Sequence, residues 1–141
     1  VYKAYLEAKS VTAAEYLAAR SELTRVMREV GRFMEGYDLL VSSTMGILPL
    51  EAGKYNPFSR PDMPVRDWVL ERRRWSGNTA MCNVTGQPSI TVPLAQSKSG
   101  MPIGIEIDGP VGEDALVLQL AAQLERARPW KDRRPGVYAG D

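Results

Sequence analysis

Two short stretches of this chain alternate apolar and polar residues at every second position. Ile90, Val92 and Leu94 interleave with Ser89, Thr91 and Pro93, and Ile103, Ile105 and Ile107 interleave with Gly104, Glu106 and Asp108. Period two puts one set of side chains on each face of a strand, so both stretches read as half-buried β-strands. The connector from Ala95 to Met101 is polar and contains Ser99-Gly100, which makes an antiparallel hairpin with a longer loop the simplest pairing. Pro93 lacks a ladder donor and belongs at an edge or a strand end. A hairpin with one apolar face must bury that face against another element, which fixes what the rest of the chain has to supply.

The flanking sequence supplies amphipathic helices. Thr12 followed by Glu15 makes a capping box, after which Tyr16, Leu23, Met27, Val30 and Met34 recur at three- and four-residue spacing down to about Gly36. Arg20, Glu22, Arg25 and Arg32 on the other side form a solvated face. Leu39, Leu40 and Val41 read as a short buried strand ending in Ser42-Ser43-Thr44. Residues 45–66 hold six glycines and prolines, namely Gly46, Pro49, Gly53, Pro57, Pro61 and Pro64, and are expected to form an extended surface or pocket-lining loop. Helical sequence returns from Arg66 to Trp75. After the hairpin, Leu116, Val117, Leu120, Ala121 and Leu124 define a second amphipathic helix that Pro129 stops, followed by a tail strap anchored by Trp130. Residues 1–141 carry no repeat and no internal boundary and read as one α/β or α+β domain.

Composition narrows the chemistry mainly by what is missing. There is no histidine, which removes Ser-His-Asp and Cys-His catalysis and makes the usual zinc and iron sites improbable, so no metal site is expected. No Gly-rich phosphate loop is present, and no cofactor is implied. Eighteen basic and seventeen acidic side chains leave a net charge of +1, so nucleic acid is not an expected partner. No apolar run approaches the roughly 20 residues that span a bilayer, so no membrane partner is expected either. The single cysteine, Cys82, has no intrachain partner, and a cytoplasmic location is expected. The chain opens at Val1 directly into helical sequence, which reads as a cut end.

Several groupings invite a functional reading and are weighed against a plainer one. Glu106 and Asp108 stand about 6.6–6.8 Å apart along one strand face, close to the spacing of some glycosidase carboxylates. Those enzymes place their carboxylates on opposite sides of the scissile bond, whereas strand neighbours face the same way, so solvated or locally hydrogen-bonded carboxylates are the expectation. Arg72-Arg73-Arg74 beside Trp68 and Trp75 is read as a solvated helix end rather than a base-stacking platform. Asn83-Val84-Thr85 matches a glycosylation acceptor only by pattern. Cys82 has no base to activate it and is expected to pack or to line a pocket. Asn83, Gly86, Gln87 and Pro88 are read as a turn before the strand, with the Asn83 side chain tying loop backbone together.

Asn83 through Leu94, with Gly100-Met101-Pro102-Ile103-Gly104-Ile105-Glu106, strongly resembles the C-terminal signature of the amidase-signature family. Tyr37–Val41 resembles the family's strand before a Pro-Thr pair, and Asp114–Glu125 with Pro129-Trp130 resembles its last helix and tail. The resemblance implies the C-terminal part of an α/β/α sandwich with a mixed sheet, here one β-hairpin plus a further strand packed by amphipathic helices. It also implies hydrolysis of the amide bonds of small or cyclic amides by a serine nucleophile, a bridging serine and a lysine. No Gly-Gly-Ser-Ser-like run occurs in this chain, and Lys3, Lys9, Lys54, Lys98 and Lys131 lie in no comparable context. No catalytic residue is therefore assigned here, and residues 1–141 are expected to be the C-terminal fragment of an amidase domain whose catalytic part is absent.

By position, Thr79, Cys82 and Asn83 resemble substrate-binding residues of the family, and Thr44 lies at a strand end near them. Ser43 stands where the family usually has proline and Glu106 where it usually has glutamine. The tail from Leu124 to Pro135 resembles members acting on 6-aminohexanoate cyclic dimer. The expected partners are a small-molecule amide substrate in the complete enzyme and a second copy in a homodimer, because half a sandwich leaves sheet edges unpaired. Two other readings stay open. One is a non-enzymatic amidase-like interaction or scaffold module, and the other is a carboxylate hydrolase built on Glu106 and Asp108.

Overall fold

The computed structural model describes residues 2–53, 60, 62–76 and 78–137. The elements run α1 (Tyr2–Ala8), α2 (Ala13–Met34), β1 (Leu40–Ser43), α3 (Val65–Ser76), α4 (Thr79–Thr85), β2 (Ser89–Gln96), β3 (Pro102–Asp108) and α5 (Asp114–Ala127). The expectations for Lys54, Pro57 and Pro61, and for the tail beyond Val137, lie outside the described residues.

β2 and β3 form the expected antiparallel hairpin. Its loop is closed by Ser97 N–H donating to Met101 O at 2.8 Å, with Gly100 at φ 83°. A positive φ suits glycine because it has no Cβ to clash. β3 is central, in the order β1-β3-β2, and both pairings are antiparallel. The parallel pairing that a mixed sheet requires is absent among the described residues. Val92 pairs with Ile105 but Ala95 pairs with Ile103, so Pro93 and Leu94 hold an extra residue as a β-bulge on an outer strand of this sheet. That is where a residue without an N–H does least harm to the ladder. The Pro93 carbonyl accepts from Arg133 Nη1 at 2.8 Å, which ties the tail to the bulge.

One face of the sheet is the apolar core. Val92, Ile107 and Ala121 are buried there, with Leu39, Ile90, Leu94, Ile105, Leu120, Leu124 and Trp130 packed around them. α5 lays Val117 and Ala121 onto this face, as its spacing predicts, and Trp130 anchors the tail. Full burial of a side chain the size of Ile107 is worth about 1.5–3 kcal/mol.

α2 starts as expected. Thr12 caps it, its Oγ1 accepting from Glu15 N–H at 3.2 Å while Glu15 Oε2 accepts from Thr12 N–H at 2.8 Å. Its apolar stripe, however, is largely bare. Met34 is the residue of α2 that is buried, whereas Tyr16, Leu17, Leu23, Met27 and Phe33 are exposed. The hairpin is therefore not sandwiched directly between two long amphipathic helices. α5 covers one face, and α2 packs chiefly against the short α4.

β1 ends at Ser43, within the Ser42-Ser43-Thr44 stretch expected to close it, and Ser42 and Ser43 find ladder partners in Glu106 and Ile105. Residues 79–85 form a helix, α4, so Asn83, expected in the turn before β2, is helical instead; Gly86 ends the helix in a left-handed conformation at φ 75°. In the stretch after β1, Gly46 N–H donates to Trp75 O at 3.0 Å, and a Cβ there would lie 2.5 Å from Arg74 O. The loop can meet the end of α3 this closely only through a glycine.

Candidate functional site

The other face of the sheet is polar, and alternation dictates it. With Ile105 and Ile107 turned toward α5, Gly104, Glu106 and Asp108 must face the opposite way. The register sets Ser42 and Thr91 beside Glu106, and Leu40 and Ser89 beside Asp108. The result is a strip of hydroxyls and carboxylates across three strands.

At one end of the strip Thr44 Oγ1 and Thr91 Oγ1 are hydrogen-bonded at 3.1 Å. They meet over Gly104, where a Cβ would lie 2.7 Å from Thr44 Oγ1 and 2.8 Å from Thr91 Cγ2. Beyond this end, Met45 to Pro49 and Pro102 to Gly104 line a cleft of about 260 Å³. At the other end Ser89 Oγ donates to Asp108 Oδ1 at 2.6 Å and lies 3.3 Å from Glu106 Oε1.

α4 covers that second end. Cys82 is buried, and its Sγ and the carboxylate oxygens of Glu106 and Asp108 lie within 4.8 Å of one another. Burial pushes the Cys82 thiol up to about 12, and its contact with Asp108 acts in the same direction against a smaller opposing effect of Ser89. The thiol is neutral near pH 7 and has little nucleophilic character. Burial also raises Glu106 above the ordinary carboxylate range, with the charge of Asp108 adding to the effect and Ser89 opposing it. Cys82, Glu106 and Asp108 are the residues among those described whose donor atoms are grouped closely enough to hold a metal ion.

α4 is held at its C-terminal end by a buried relay. Thr85 Oγ1 lies 3.0 Å from Met81 O and 2.9 Å from Gln87 Oε1, and Gln87 Nε2 donates to Gly109 O at 2.9 Å. Gln87, not Asn83, is thus the amide that ties backbone together. Asn83 falls within α4 and is exposed. Glu106 and Asp108, expected to be solvated or locally hydrogen-bonded, are 2% and 0% exposed and hydrogen-bonded through Ser89. The Arg72 guanidinium stacks over the Trp68 ring at 4.7 Å from its centroid, which occupies one of the two tryptophans that might have served as a stacking platform.

The four residues read as substrate-binding are brought to one side of the sheet in two places. Thr79, Cys82 and Asn83 lie on α4, with Thr79 Oγ1 donating to Ser76 O at 3.0 Å. Thr44 lies at the far end of the polar strip, bonded to Thr91 and next in sequence to Met45 of the cleft. Ser89 and Thr91, which link the two places, were missed in the sequence. Their polar-in-alternation pattern marked them as one face of β2, but nothing local said that this face would be the site.

The amidase family model matches residues 3–118. The 6-aminohexanoate-cyclic-dimer hydrolase of Pseudomonas sp. (strain NK87) is 38% identical over 131 residues, covering 91% of this chain and 27% of that protein. Putative amidase AmiC of Mycobacterium leprae (strain TN) is 37% identical over 109 residues, covering 77% of this chain and 22% of that protein. The solved structure of 6-aminohexanoate cyclic dimer hydrolase complexed with substrate matches with a TM-score of 0.81 at 34% identity, over 92% of this chain and 27% of that one. A bacterial aryl acylamidase of the amidase-signature family, at 24% identity and a TM-score of 0.65 over 89% of this chain and 26% of that one, shares the fold. The chain spans about a quarter of the length of the curated relatives it matches. With a family match across most of its residues, on a fold common to solved amidase-signature enzymes, the chain belongs to the amidase family.

Proposed function

We propose that this chain is the C-terminal part of an amidase that hydrolyses the carbon–nitrogen bond of small or cyclic amides. The serine nucleophile, bridging serine and lysine belong to polypeptide outside residues 1–141. The observation that carries this reading is alignment over 91% of the chain with a hydrolase of 6-aminohexanoate cyclic dimer, in a stretch that contains no Gly-Ser-rich run. In such an enzyme the nucleophile attacks the amide carbonyl, and backbone N–H groups of a Gly- and Ser-rich loop stabilise the oxyanion.

The part played by this chain is to support and line the acyl-side pocket. The α5-covered hairpin is the rigid element. α4, with Thr79, Cys82 and Asn83, and the end of β1, with Thr44, form one wall. The neutral Cys82 thiol and the hydrogen-bonded Thr44 hydroxyl suit a lining role and not a reactive one. A homodimer and a cytoplasmic location belong to the same proposal. The outer strands β1 and β2 of the described sheet support the dimer, and the lone Cys82 supports a reducing compartment. Among the described residues no helix is long and apolar enough to cross a membrane.

The test is hydrolysis of 6-aminohexanoate cyclic dimer and a panel of small amides by the full-length protein. Turnover that is lost after treatment with a serine-directed sulfonyl fluoride is the expected result. Failure to cleave any amide in the panel contradicts the reading and favours an amidase-like binding module.

A further inference from the structure

Glu106 and Asp108, two residues apart on β3, stand beneath Cys82 of α4; one oxygen of each carboxylate and the Cys82 Sγ lie within 4.8 Å of one another. Each carboxylate is held through one oxygen only. Ser89 Oγ donates to Asp108 Oδ1 at 2.6 Å and lies 3.3 Å from Glu106 Oε1, whereas Glu106 Oε2 and Asp108 Oδ2 are shut off from solvent with no hydrogen-bond partner among the described residues. The other side chains beside the pair in the ladder, Leu40 and Ser42 of β1 and Thr91 of β2, carry no positive charge, and α5 meets the opposite face of the sheet.

Burying a carboxylate is costly unless it is hydrogen-bonded, paired or bound to a metal. Whatever satisfies these two oxygens has to be small. Glu106, Asp108 and Cys82 are 2%, 0% and 9% exposed within this chain's own fold, so polypeptide packing onto the outside of α4 reaches the oxygens only by displacing the helix. The donor set then selects among small groups. One sulfur and two carboxylates match the ligands that a four-coordinate Zn²⁺ takes, and a hydroxyl that orients both carboxylates is the kind of outer partner such a site needs. A water molecule in the same gap would serve the two oxygens, but it adds no positive charge and has no use for the sulfur. Tetrahedral ligands at the usual Zn–O and Zn–S lengths stand about 3.5 Å apart, so the three atoms close in by about 1 Å, within the reach of side-chain rotation.

We propose that Cys82, Glu106 and Asp108 hold one divalent cation of the zinc class, which clamps α4 to β3, with one small ligand such as water in its fourth position. The lack of histidine made a metal improbable on composition, but α4 and β3 bring together a ligand set that needs none. On their own, burial and the Asp108 and Glu106 carboxylates hold the Cys82 thiol protonated; coordination reverses that balance and releases the thiol proton to solvent. The role is structural, because the three residues are buried and open to no substrate. It stands or falls apart from any amide turnover.

The test is equilibrium dialysis of the metal-stripped full-length protein against Zn²⁺, followed by elemental analysis, with Co²⁺ as a spectroscopic probe of a thiolate ligand. Wild type is expected to retain one more Zn²⁺ per chain than Cys82→Ser, and its Co²⁺ form to show a near-ultraviolet thiolate charge-transfer band that Cys82→Ser loses. Ser89→Ala, which removes only the orienting hydroxyl, should weaken binding about 10–100-fold, and Glu106→Gln, which removes a ligand, by at least as much. If wild type retains no more Zn²⁺ than Cys82→Ser, or binds Co²⁺ with no thiolate band, there is an adventitious ion only and the proposal is overturned in favour of a buried water. An affinity that Glu106→Gln and Ser89→Ala leave unchanged overturns it equally. Where Cys82→Ser does not fold, the wild-type band and these two variants decide the matter alone.

Discussion

A Cβ on Gly104 would fall within 2.8 Å of both Thr44 and Thr91, and the second contact is with a β-branched side chain held in a strand. Such chains have few rotamers to retreat into. Gly104→Ala should therefore separate the two hydroxyls and lower stability by about 1–3 kcal/mol, in the range of other overpacking substitutions. Urea denaturation measures this, and a neutral Gly104→Ala would mean that the strip repacks freely. The same scale shows what the sequence made legible. Alternation alone put Glu106 and Asp108 on one face with Ser89 and Thr91. Whether that face is wet or dry depends on α4 arriving from well upstream in the chain, and no local pattern in residues 103–107 encodes it.

Elements with a strong local signal form where that signal lies, and those with a weak one depend on distant partners. The Thr12–Glu15 box, the hairpin, the edge placement of Pro93 and the stripe of α5 each have a mechanism that operates within a few residues. α4 does not. Its seven residues are too few to show an amphipathic repeat, and it is helical because α2 and the Gln87 relay hold it there. Ser42 and Ser43, polar and at the end of a short apolar run, are strand because they pair with β3. The capping box provides an independent check. Thr12→Ala should cost about 1 kcal/mol in urea denaturation at neutral pH. Hydrogen bonds from Thr12 hold Glu15 below its ordinary value, so their contribution is present above the unfolded-state value and lost as pH falls through the folded one. The difference between Thr12→Ala and wild type should shrink in acid. An equal difference at all pH values would mean that the Thr12 side chain has no part in holding Glu15 down, since alanine keeps the backbone N–H bond to that carboxylate.

The whole molecule exposes 10796 Å², whereas a compact chain of 141 residues exposes about 7,200 Å². Much of what is bare is apolar, including Tyr16, Leu17, Leu23, Met27 and Phe33 along α2. A stripe of that kind on a 22-residue helix marks a surface meant to be covered. In the proposed enzyme the remaining polypeptide of the amidase fold covers it. Made alone, residues 1–141 should self-associate in sedimentation at high concentration, and a strict monomer would count against this. The sequence predicted the stripe but took it for granted that something within the chain would lie on it.

In the proposed enzyme these residues support a pocket and other polypeptide performs the chemistry. The most direct measurement is amide turnover by purified residues 1–141 beside the full-length protein at equal molarity, with 6-aminohexanoate cyclic dimer as substrate. Turnover by the full-length protein and none by residues 1–141, at any concentration tested, is the expected result. Hydrolysis by residues 1–141 alone would contradict it, and would direct attention to Glu106, Asp108 and Cys82 as groups that react.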